Sequence, residues 1–139
     1  EDSRTELMWA ATCGINGWAS PGDAWTPIHQ VGHVLTALYG INHGSSLAVL
    51  MPAWMNYFKR IKPAPYERFE REVMSIADFK AFMSRFGLPT SLSEAGLTEE
   101  NIPEIVQGAK DVAFNADGVL SCNPPVTTEM LIEVLKAAL

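Results

Sequence analysis

Glycines, prolines and capping residues cut this chain into short stretches, and the apolar residues between them recur at helical spacing, with no convincing strand. Thr5 to about Gly14 reads as a helix rich in Leu7, Met8, Ala10 and Ala11, followed by a loop to Ala24 holding glycines, Pro21 and Asp23. A second helix starts near Trp25 or Thr26. Pro27 suits its first turn, where a missing N–H costs nothing, and Gly40 after Tyr39 is a natural stop. A third runs from about Gly44 to Phe58, with Leu47, Leu50, Met51, Trp54 and Phe58 in register; Pro52 inside it should kink or break it. Lys62-Pro63-Ala64-Pro65 reads as a linker-like turn. Helices are then expected over Tyr66 to Met74, over Ile76 to Phe86 behind Ser75, from a Thr98 cap to about Asn115, and over Thr128 to Ala138 behind Thr127, with Asn123-Pro124-Pro125 as a rigid turn. The expected fold class is all-α.

The 139 residues suit one domain with a real core. A net charge of -6 argues against nucleic acid, whose phosphates call for basic patches. No apolar run approaches the roughly 20 residues that span a membrane. The charged start, Glu1 to Glu6, is unlike a signal peptide, and helical spacing begins almost at once, so the expectation is of a chain cut within a domain. Two cysteines, Cys13 and Cys122, make no disulfide framework, and a reduced, cytoplasmic setting is expected. Cys122 reads more readily as a buried structural thiol than as a pocket residue.

All three histidines fall between positions 29 and 43. His29 and His33, four apart on a predicted helix, share a face about 6 Å apart along the axis. His29 and His43 on one straight helix would be roughly 21 Å apart, too far to share an ion. A turn at Gly40 to Asn42 changes that, because His43 then begins a new helix that can fold back on the first. Near a helix N-terminus the dipole disfavours imidazolium, and the neutral ring is the form that binds metal. His29-Gln30-Val31-Gly32-His33 has the histidine spacing of a zinc-protease helix but carries Gln30 where that motif needs glutamate, so a protease is excluded. Imidazoles without a certain carboxylate suit zinc or ferrous iron. On the residues alone two readings stand: a metal or catalytic cluster, and core or capping histidines.

The segment Trp25 to Gly44, WTPIHQVGHVLTALYGINHG, with Leu47-Ala48-Val49-Leu50-Met51-Pro52 behind it, resembles the signature of the iron-containing (group III) alcohol dehydrogenases, most closely their butanol dehydrogenase and NADPH-dependent aldehyde reductase branch. Met8 to Thr12, Ile15-Asn16-Gly17 and Cys122-Asn123-Pro124-Pro125 extend the likeness over nearly the whole chain. The resemblance implies the helical C-terminal domain of the dehydroquinate synthase-like fold. It implies His29 and His43 as metal ligands to Fe2+ or Zn2+, and His33 as a catalytic, cofactor-facing residue beside the substrate and the nicotinamide of NAD(P), where it serves proton transfer. Trp25 and Asn16 to Ala19 would help wall the pocket, although packing serves equally well for Trp25. An alcohol or aldehyde substrate and a homodimeric full-length enzyme are implied too.

The family's other two ligands, an aspartate and a histidine four residues apart, have no match in this sequence, since Asp2 and Glu6 come without a histidine. Nor is there a glycine-rich phosphate loop. Residues 1–139 are therefore expected to be part of a metal-binding domain, lacking the nucleotide-binding domain and inactive alone. The competing expectations are a non-enzymatic helical module that uses its histidines for metal or packing, and one half of a split enzyme.

Overall fold

In the computed structural model, which describes residues 2–15 and 27–139, the described residues form α1 (Asp2–Ile15), α2 (Pro27–Tyr39), α3 (His43–Lys59), α4 (Pro63–Glu72), α5 (Ile76–Arg85), α6 (Ile102–Ala113) and α7 (Thr128–Ala137). The expected all-α class holds. Among the described residues there is no strand, only isolated antiparallel bridges pairing Leu120 with Phe114 and with Val126. No helix of the described residues is long and apolar enough to cross a membrane.

Local chemistry accounts for most boundaries. Gly40 stops α2 in the left-handed conformation (φ +66°), which glycine enters without strain. Asn42 starts α3 by accepting the Gly44 N–H at 3.0 Å. The Ser75 hydroxyl accepts the Asp78 N–H and the Thr127 hydroxyl accepts the Met130 N–H, capping α5 and α7 as expected.

Three expectations need correction. Lys62 to Pro65 is not a linker: Pro63 and Pro65 lie in the first turn of α4, where their missing N–H groups have no intrahelical acceptor to lose. Of the two readings at Pro52, the break is the one corrected: helix α3 runs on through the buried proline. The segment after Thr98 opens as a 3₁₀ turn, Glu99–Asn101, in which the Asn101 side chain accepts the Thr98 N–H at 2.9 Å, and α6 begins only at Ile102. It ends at Ala113 rather than Asn115, because Phe114 turns extended to reach Leu120.

The core lies around α2, which packs between α3 and α6, with α7 closing against both α3 and α6. Leu35, Val49, Ile105, Val134 and Leu135 are fully buried there. Each such side chain contributes about 1.5–3 kcal/mol by leaving water. Helices α4 and α5 also pack against α3. Leu7, Met8 and Trp9 of α1 are exposed.

Two glycines let helices approach α2 closely. A Cβ at Gly32 would lie 2.9 Å from Ser46 Oγ of α3, and a Cβ at Gly108 of α6 would lie 2.7 Å from Val34 Cγ1. For Gly108→Ala two effects compete. Alanine gains about 1 kcal/mol of helix propensity, whereas overpacking costs about 1–3 kcal/mol. Val34 is 5% exposed and β-branched, so it has nowhere to swing. The clash should win, and a thermal melt should show a lower Tm for the variant; a raised Tm would mean that α6 can slide off α2.

Glu94 accepts the Thr90 backbone N–H at 2.7 Å, and this bond is the main reason its carboxyl sits below the ordinary glutamate range. A depressed folded-state value contributes stability that is present above the unfolded value, about 4.3, and is lost as pH falls through the folded one. Denaturant midpoints should therefore drop less between pH 7 and acid for Glu94→Gln than for the parent; equal drops would place the acid sensitivity elsewhere.

Candidate metal centre

Two neighbouring helices place the three histidines. His29 and His33 lie one turn apart on α2, and His43 is the first residue of α3. The reversal at Gly40–Asn42 returns the chain so that α3 crosses α2 with Ser46 against Gly32. The crossing brings His43 between the other two. Its ring centroid lies 5.4 Å from that of His29, at 56°, and 4.6 Å from that of His33, nearly parallel at 4°. The fold-back expected from Gly40 is thus what the structure has.

Burial differs among the three. His29 and His43 are half-buried and His33 is exposed. Burial, followed by the proximity of His43 and then of His33, lowers the His29 pKa, so this ring favours the neutral form that can donate a lone pair. His43 Nδ1 is buried and has no hydrogen-bond partner in the structure. An orphaned buried nitrogen of this kind costs about 1–3 kcal/mol and calls for an explanation such as an ion. Two half-buried imidazoles, one carrying a lone nitrogen, fit a borderline divalent metal by donor chemistry. Among the described residues, no group of three or more His, Cys, Asp or Glu side chains converges as a metal site.

Trp25 and Asn16 to Ala19, read as pocket walls from the sequence, lie outside the described residues. A cleft of about 690 Å³ has no histidine in its lining and is formed by Pro27, Trp54, Phe58, Tyr66, Cys122 and Pro124 among others. Cys122 is half-buried there, its S–H directed at the Pro124 carbonyl at 3.0 Å and its pKa raised by burial. The thiol is held, as a structural one would be, yet it also faces the cleft. Sequence reasoning had no view of this cleft, since Trp54, Tyr66 and Cys122 belong to segments that only the fold brings together. It also passed over Ser46, fully buried, whose hydroxyl donates to the His43 carbonyl at 2.7 Å. A glycine in mid-helix between two histidines was the available signal for that contact.

Comparison with known proteins identifies the family. The model of the Fe-containing alcohol dehydrogenase family, C-terminal, matches residues 1–139. The chain is 30% identical to the NADPH-dependent aldehyde reductase YqhD of Escherichia coli K12, over 99% of this chain and 38% of that protein. It is 29% identical to the NADH-dependent butanol dehydrogenase A of Clostridium acetobutylicum, over 97% of this chain and 38% of that protein. The crystal structure of a NADH-dependent butanol dehydrogenase A from Thermotoga maritima superposes with a TM-score of 0.87 at 33% identity, covering 99% of this chain and 39% of that one. The chain thus spans well under half the length of these relatives.

The orphaned nitrogen gives a stability test. His43→Leu removes a buried polar atom without a partner, so the metal-free variant should unfold about 1 kcal/mol later than the parent in chelator-treated denaturant titrations. A variant markedly less stable than the parent would show that Nδ1 is satisfied in solution.

Proposed function

This chain belongs to the Fe-containing alcohol dehydrogenase family, and we propose that it contributes the helical, metal-holding part of an NAD(P)-linked alcohol dehydrogenase or aldehyde reductase. The observation that carries the reading is the facing pair His29 and His43, with the unpartnered Nδ1 of His43 buried between the helices. These two imidazoles would hold Fe2+ or Zn2+. A bound ion supplies Lewis-acid polarisation of an alcohol or aldehyde oxygen, and the nicotinamide supplies hydride exchange with the adjacent carbon.

The protein's own residues divide the remaining work. His29, whose pKa is lowered by burial first and by its histidine neighbours second, more readily offers the lone pair of a neutral ring. His33 is exposed one turn further along α2, stacked on His43, so its ring can take a proton from the substrate side and pass it to water. Its place beside the pair suits it to the nicotinamide as well. Two imidazoles do not fill the coordination of either ion, so the other ligands and the cofactor-binding surface come from residues beyond these 139. The relatives' names give NADH for one and NADPH for another, and either cofactor fits this reading. A homodimeric, cytoplasmic enzyme completes it.

A Zn2+ titration with a competing chromophoric chelator tests the assignment. His29→Ala and His43→Ala should each weaken binding at least about tenfold, or about 1.4 kcal/mol. Unchanged affinity in both would remove them as ligands. The 139 residues alone should not reduce an aldehyde with NAD(P)H, and turnover by them would refute the view that the cofactor surface lies elsewhere.

A further inference from the structure

The separation of the proposed ligands is not set within either helix. His29 belongs to α2 and His43 to α3, so it depends on how deeply the helices cross, and they cross at Gly32. Position 32 lies between His29 and His33 on α2. The atoms facing it are Ser46 Oγ, 2.9 Å from where a Cβ would stand, and Leu47 Cδ2, at 3.1 Å, whereas Ser46 Cβ is an ordinary 3.8 Å away. Leu47 Cδ2 is the far end of a flexible, half-buried side chain. Ser46 Oγ is not free in that way, because the residue is fully buried and its hydroxyl is committed to the His43 carbonyl at 2.7 Å.

We infer that Gly32 and Ser46 form a positioning contact for the metal pair: the missing Cβ at 32 sets the depth of the crossing, and the Ser46 hydroxyl couples that depth to the backbone of His43. The inference rests on the reading of His29 and His43 as ligands. A methyl group at position 32 presses on Ser46 Oγ, which its bond to the His43 carbonyl holds in place, so α3 moves away and the His29 to His43 gap widens without any change at a ligand atom. Removing Oγ relieves the tightest contact, since Ser46 Cβ is already at a normal distance and only the tip of Leu47, at 3.1 Å, has still to give by a few tenths of an ångström.

The test uses Zn2+ alone, titrated into the chain in a His33→Ala background, so that the i, i+4 pair His29 and His33 cannot take the ion instead. Gly32→Ala should weaken Zn2+ binding at least about tenfold, and adding Ser46→Ala should restore most of that loss. Stability is measured on the same samples in chelator. A structural role alone would lower the melting temperature of Gly32→Ala without a matching change in affinity among the molecules still folded. Parental affinity in Gly32→Ala, or a loss that Ser46→Ala does not repair, overturns the positioning role. Failure of the ligand reading looks different: His29→Ala and His43→Ala in this background would then bind Zn2+ as the parent does. If Gly32→Ala fails to fold, Ser46→Val in the same His33→Ala background, with Gly32 kept, presses a methyl group into the same crossing and should give the same loss of affinity; parental affinity there overturns the inference equally.

Discussion

Helix α2 is approached closely from two sides, and each approach needs an atom to be missing. Toward α3 the absent Cβ is its own, at Gly32; toward α6 it belongs to the neighbour, at Gly108 against Val34. Interiors pack near crystal density, so one methyl group at either contact pushes a whole helix. The core follows from this. With α2 gripped on both faces, Val31, Val34 and Leu35 are all buried within little more than one turn, and α7 can cover α3 and α6 together. The histidine cluster is a product of the same geometry, because the ring distances are those of the α2–α3 crossing.

How much of this the sequence disclosed follows from how local each cause is. Caps act within three or four residues, so Ser75, Thr127 and the stop at Gly40 could be read directly and are present as read. Proline was less legible. Its chemistry at Pro63 and Pro65 allows either a turn or a first helical turn, and only the continuation through Tyr66 and Phe69 decides for the helix. Pro52 removes one donor inside α3, which tertiary burial of the segment outweighs. The histidines were conspicuous by clustering, and a turn at Gly40 made a shared site conceivable. Which rings face each other was beyond the sequence, because it depends on a contact between Gly32 and Ser46, fourteen positions apart, that carries no pattern of its own. The cleft at Trp54, Tyr66 and Cys122 was hidden for the same reason.

The cluster also shows where local stability and the proposed role diverge. A buried nitrogen without a partner is a cost that the buried side chains elsewhere among the described residues avoid. Ser46 is as deeply buried, yet its hydroxyl has the His43 carbonyl, and buried Thr90 gives both its N–H and its hydroxyl to Glu94. Residues that break a local rule with no compensation in the free chain are those expected at a binding site, where the compensation arrives with the ligand.

The burial gradient along α2 gives the proposed roles a physical basis. A ligand is best kept half-buried: its neutral form is then favoured, and water competes less for the ion. A proton-handling residue needs the opposite, since its proton must reach solvent. His29 and His33 share one helix face a turn apart, and the gradient from half-buried to exposed passes between them. The same spacing that offered an i, i+4 metal pair in the sequence therefore separates, in the fold, a residue suited to hold an ion from one suited to relay a proton. His43, within 5.4 Å of one ring and 4.6 Å of the other, is the element common to both proposed tasks. Its position depends on the crossing at Gly32, so the proposed division of labour on α2 rests on a contact that neither of its histidines makes.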